Sequence, residues 1–127
     1  MARTLKSPMV KDACAPCMLH YIVGKDEFAV LRACKSFGWT EPGGMTDEAW
    51  RKAASLLGVT IRLQPSEPME LRKVVKLYPK GLFILGTFDH VLVLDHGVIY
   101  DPRCEKPPGL RRTIKQIWRV VGGSDKI

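Results

Sequence analysis

The sequence predicts an α+β fold, with helices in its first half packed on an antiparallel sheet in its second. Three observations predict it. Apolar residues recur at helical spacing as far as Leu57, the pattern changes to strand-like alternation from Val59, and tight turn signals at Pro79-Lys80-Gly81 and Asp95-His96-Gly97 separate the later apolar runs. A length of 127 residues suits one domain with one core.

Residues 1–11 read as an irregular arm. After Cys14, the run to Gly24 fits a short buried helix, with Pro16 in its first turn and Gly24 as its stop. Asp26 caps a second helix whose apolar positions Phe28, Val30, Leu31 and Cys34 precede a stop at Gly38. A Gly/Pro-rich loop spans 40–44. Thr46 caps a third helix, with Asp47 and Glu48 in its first turn, Trp50, Ala53, Ala54 and Leu57 on one face and Gly58 at its end. Residues 59–63 alternate as a strand, a short fourth helix is predicted over 68 to about 77, and two apolar strands follow around His90. Asp95-His96-Gly97 is a hairpin turn in which Gly97 takes a positive φ. Residues 111–121 read as a strand with one wet face.

Composition narrows the function classes. Hydrophobic residues at 46% and charged residues at 26% argue against extensive disorder. No apolar run reaches signal-peptide length or the ~20 residues of a membrane span, so a cytoplasmic protein without membrane association is expected, with its four cysteines reduced. The net charge of +7 attracts acidic partners. Much of the excess lies in Arg103, Lys106, Arg111, Arg112, Lys115 and Arg119. These read as the solvated face of a strand and not as a nucleic-acid site, because dense basic runs and a binding motif are absent.

The chemistry concentrates in residues 81–102. His90 opens one strand and Asp101 ends the next, eleven positions later, a spacing that lets imidazole and carboxylate meet across adjacent strands. A nucleophile is then needed, and Cys14 is the candidate. At a helix N-terminus a thiol faces the positive end of the macrodipole, and a neighbouring imidazolium lowers its pKa further. His90 would shuttle the proton, Asp101 would hold the ring, and the first N–H groups of the helix could receive an oxyanion, at ~3–4 kcal/mol per donor. Against this, Cys14 could be a small buried hydrophobe. Cys17 and Cys34 read as core, Cys104 as exposed, His20 as structural and His96 as solvated. Asp89 and Asp95 compete with Asp101 on paper, but strand alternation favours Asp101. Trp118 reads as a core plug, with a place over the His90–Asp101 pair as the other option. Cys14-x-x-Cys17 has the spacing of a zinc knuckle, with His20, Cys34, His90 and Cys104 as further ligands, yet no second close pair exists. The sequence therefore assigns no metal and no cofactor.

Cys14-Ala15-Pro16-Cys17-Met18-Leu19 resembles the nucleophile segment of papain-like cysteine peptidases, close in pattern to bacteriocin-processing leader peptidases. The stretch from Pro79 through His90-Val91-Leu92-Val93-Leu94 and Gly97-Val98-Ile99-Tyr100-Asp101 to Ile117-Trp118-Arg119-Val120 is similar to small papain-like proteins of tailed phages. The resemblance implies a papain-like α+β domain and a catalytic triad of Cys14, His90 and Asp101 acting on a peptide, isopeptide or amide bond. It also implies a bacteriophage origin, action in the infected host cytoplasm and a protein or peptide substrate, such as a host bacterial protein. The family usually places an amide donor a few residues before the cysteine; here Met9-Val10-Lys11-Asp12-Ala13 occupies that place. The alternative is a papain-like scaffold of weak or no catalysis that binds a host protein or nucleic acid. Cys17, one turn after Cys14, could switch the nucleophile off by forming a disulfide with it.

Overall fold

The computed structural model describes residues 2–3, 14–24, 26–40, 45–88, 90–102 and 109–127, with Ala2, Arg3 and Cys14 described through their backbone. Strand β1 (Ala2–Arg3) precedes three helices, α1 (Cys14–Val23), α2 (Glu27–Ser36) and α3 (Asp47–Leu56). There follow β2 (Thr60–Gln64), β3 (Met69–Glu70), α4 (Leu71–Leu77), β4 (Leu82–Gly86), β5 (Val91–Asp95), β6 (Val98–Tyr100), β7 (Thr113–Ile114) and β8 (Gln116–Gly122). Six strands form one sheet in the order β1-β6-β5-β4-β8-β2, antiparallel except where β1 joins β6, and β3 pairs with β7 in a separate two-stranded sheet. The predicted α+β class is thus present, with three helices ahead of most of the sheet, although β1 precedes them and α4 falls between β3 and β4.

The predicted caps set the helix starts. The Asp26 carboxylate accepts from the Phe28 amide at 3.3 Å, and the Thr46 hydroxyl accepts from the Ala49 amide at 3.1 Å, each satisfying a donor that the first turn leaves open. Asp47 also accepts from the Trp50 indole at 2.9 Å, so one first-turn carboxylate both complements the macrodipole and orients a core ring.

Apolar side chains cover both faces of the sheet. On one face α1, α2 and α3 bury Met18, Leu19, Ile22, Val30, Trp50 and Ala53 against Leu82, Ile84, Val93 and Trp118. On the other, Leu71 and Val74 of α4, with Ile114, cover Phe83, Leu85, Leu92, Leu94 and Ile117. Strands β4 and β5 are therefore buried on both sides, which is why their sequences are unbroken apolar runs where one-sided strands alternate. Trp118 takes its core place: its ring meets Trp50 edge to face with centroids 5.0 Å apart, a geometry worth about 0.5–1.5 kcal/mol beyond area burial.

Several local expectations change. Phe28, assigned to the buried stripe of α2, is exposed. The helix expected from 68 starts at Leu71, because Met69 and Glu70 pair with Ile114 and Thr113 instead. The strand expected over 111–121 breaks at Lys115, whose amide leaves the β7 pairing to donate to the Gly86 carbonyl at 2.8 Å; the same apolar–basic alternation continues across the break. Within the predicted arm, Ala2 and Arg3 add to the sheet beside Ile99 and Tyr100. Residues 4–11, the 41–44 part of the Gly/Pro-rich loop, Asp89 and residues 103–108, which include Cys104, lie outside the described residues. After β8 the chain passes tightly over the end of α3: Gly123 has φ +81, and a Cβ built there would overlap the Gly58 carbonyl oxygen. Among the described residues no helix is long and apolar enough to cross a membrane.

Candidate functional site

The β5–β6 hairpin brings His90 and Asp101 together. His96 and Gly97 both take positive φ, +48 and +84, the two-residue turn whose twist matches that of the flanking strands. That turn pairs Val93 with Tyr100. Continuing the register one step sets Asp101 beside Leu92, so His90 lies on the diagonal two residues further, within reach of a long side chain. The His90 Nε2 and the Asp101 Oδ1 are 2.5 Å apart, with His90 4% and Asp101 0% exposed. The eleven-residue spacing therefore does what the sequence suggested.

The backbone of His90 is held as well. Its carbonyl accepts from the Thr87 amide at 2.8 Å and from the Thr87 hydroxyl at 3.1 Å, closing the β4–β5 connection. The Arg112 guanidinium donates in turn to the Thr87 hydroxyl at 3.4 Å. Sequence reasoning missed Thr87, although a hydroxyl residue three positions before the histidine in a polar turn is the available signal.

Cys14 opens α1 at its first residue, and its side chain lies outside the described atoms. Helix α1 packs on β5. The Tyr21 hydroxyl in its last turns donates to the Asp95 Oδ2 at 2.5 Å, and the Tyr21 ring lies 4.0 Å from that of Tyr100. Burial first, then the bond to Asp95, push the Tyr21 pKa well up, so the phenol stays a donor. Two further contacts pin the same end of α1: Ser124 Oγ donates to the Ile22 carbonyl at 2.7 Å, and Lys126 Nζ stands 4.5 Å from the Tyr21 ring centre. Asp95 also meets His96 Nδ1 at 2.7 Å, so the predicted competitor of Asp101 is committed to the far end of β5.

Cys17 and Cys34 are buried, as expected of core thiols. Burial, and then the neighbouring Cys17, push the Cys34 thiol up to about 12. At pH 7 only about one Cys34 in 10⁵ is then a thiolate, so this residue resists alkylation in the folded protein. A raised folded-state pKa also means that the unfolded chain releases its proton first. The stability contributed by the protonated thiol is full below about pH 9 and falls as pH rises toward 12, at up to about 1.4 kcal/mol per pH unit. Urea midpoints measured from pH 8 to 11 are expected to drop, and the drop is expected to be shallower in Cys34→Ala.

Among the described residues no three His, Cys, Asp or Glu side chains converge as a metal ion would require. What the described geometry offers is a buried imidazole oriented by a carboxylate through one ring nitrogen, with Nδ1 as the other atom for proton transfer. Compared with known proteins, the chain matches no family model, no curated protein and no solved structure.

Proposed function

We propose that this chain is a papain-like thiol-dependent hydrolase or acyl-transfer enzyme of phage origin acting on a peptide, isopeptide or amide bond of a protein substrate. Cys14 is the nucleophile, His90 the general base and acid, and Asp101 the carboxylate that orients His90. The observation that carries the reading is the buried His90–Asp101 contact at 2.5 Å, made through Nε2. A carboxylate on Nε2 fixes the tautomer and directs Nδ1 to the reacting groups. Tyr21 anchors the last turns of α1 at the Asp95 end of β5, and Cys14 begins the opposite end of that helix.

In this chemistry the Cys14 thiol passes its proton to His90 Nδ1, and the sulfur attacks the carbonyl carbon. The carbonyl π electrons move onto oxygen, and the resulting oxyanion faces the first N–H groups of α1. Collapse of the tetrahedral species breaks the C–N bond as His90 returns the proton to the departing amine, leaving a Cys14 thioester. Water then gives a proton to His90, its hydroxide attacks the thioester, and the carboxylic acid leaves as sulfur recovers the proton.

Labelling with iodoacetamide at pH 7, read by peptide mass spectrometry, tests this reading. Cys14 is expected to alkylate about 10–30-fold faster than an ordinary exposed thiol, the ratio of full thiolate to the few per cent present at an unperturbed pKa. His90→Ala is expected to remove that advantage. Equal rates at Cys14 in the two proteins would defeat the assignment.

A further inference from the structure

The open margin of the large sheet carries two arginines that no carboxylate among the described residues pairs with. Helix α4 and the β3–β7 pair cover the second face of the sheet at its centre, but Arg119, Val121 and Arg62 on β8 and β2 are exposed. Alternation along β8 sends Trp118 and Val120 into the helix-side core, so Arg119 points to the opposite face. The antiparallel register sets Arg62 directly across from it. Partners placed so have Cβ atoms about 4.5–5.5 Å apart, and like charges there repel. Among the described residues no carboxylate forms an ion pair with either guanidinium.

The neighbours of Arg119 are aromatic. Its guanidinium carbon lies 5.5 Å from the centre of the Phe83 ring, and Phe83 meets the half-buried Tyr78 at 4.6 Å. Tyr78, Phe83, Arg119 and Arg62 thus form a row across this face. Lys76 and Lys80, both exposed, flank Tyr78 in the chain. Read as sequence, Arg119 belongs to a solvated strand face; the strand register adds Arg62, 57 positions earlier in the chain, to the same spot.

We propose that this margin binds the phosphodiester backbone of nucleic acid, with Arg62 and Arg119 gripping phosphate and Lys76 and Lys80 extending the basic track. An anion bridging the two guanidinium groups relieves their repulsion, and each planar fork of N–H donors fits two phosphate oxygens. Nucleic acid is favoured over an acidic protein because its evenly spaced phosphates, each matched by a guanidinium fork, can occupy the Arg62–Arg119 pair and the exposed lysines along one track. The inference does not rest on the thiol chemistry.

Fluorescence anisotropy with the full chain tests it, using labelled oligothymidylate of about 20 nucleotides and a duplex of the same length. Binding to at least one probe is expected, weakening steeply between about 50 and about 200 mM salt, and Arg62→Gln and Arg119→Gln are each expected to weaken it and to reduce the slope of log K against log salt by about 1. Arg62→Glu turns the repelling pair into an attracting one, so it is expected to lose binding while melting at or above the wild-type temperature, which a merely structural arginine would not do. No salt-dependent binding to either probe, or wild-type affinity in both glutamine variants, would overturn the proposal. Displacement of the probe by polyglutamate as readily as by unlabelled oligonucleotide would replace nucleic acid with an acidic protein.

Discussion

Asp101→Ala is expected to lower the free energy of unfolding by about 3–5 kcal/mol, the range for removing one member of a buried ionisable pair. The variant leaves the buried His90, 4% exposed, facing a methyl group where a carboxylate oxygen stood 2.5 Å away. Urea denaturation near pH 7 measures the loss, and a change below 1 kcal/mol would show that the pair contributes little to the fold. Asp101→Asn keeps the volume and a hydrogen-bonding oxygen, so it is expected to retain more stability. It removes the negative charge that supports an imidazolium, so under the proposed function it still slows Cys14 alkylation. Alanine and asparagine therefore separate the packing role of this carboxylate from its electrostatic one.

Gly123→Ala is the other large effect, expected at about 3–5 kcal/mol from the sum of a strained backbone and an overpacked contact. At φ +81 an L side chain is disfavoured, and here the added carbon meets the Gly58 carbonyl, which is backbone and cannot rotate aside. Relief requires the β8 terminus to move away from the turn between α3 and β2, weakening the pairing of Thr60 with Gly122. Thermal melting and hydrogen exchange at the β2 amides check this result. A melting temperature equal to that of the wild type would mean that the crossing relaxes without consequence.

The helix caps at Asp26 and Thr46 and the hairpin at His96-Gly97 were legible because each rests on chemistry within four residues. The His90–Asp101 contact was legible for a related reason: a two-residue turn fixes the register, and the register fixes the diagonal. The Tyr21–Asp95 bond spans 74 residues and depends on how α1 lands on the sheet, which no local pattern encodes. The break at Lys115 was hidden because apolar–basic alternation runs through it unchanged, and only the neighbouring Gly86 carbonyl reveals why the amide turns away. Phe28 misled because periodicity identifies an apolar position and cannot say whether a neighbour arrives to cover it.

Strand β8 lies between β4 and β2, and the residues just after it, Ser124 and Lys126, clasp the end of α1. During synthesis the helix that Cys14 begins gains its Tyr21–Asp95 bond 74 residues after Tyr21, and the clasp on its last turn is complete only when Ser124 arrives, 102 residues after Ile22. Until then β2 has no hydrogen-bonding neighbour in the large sheet and β4 has only β5. A nascent chain halted before residue 116 is expected to remain an easy target for proteases, and its maturation is set by late, long-range closure and not by the speed of its helices.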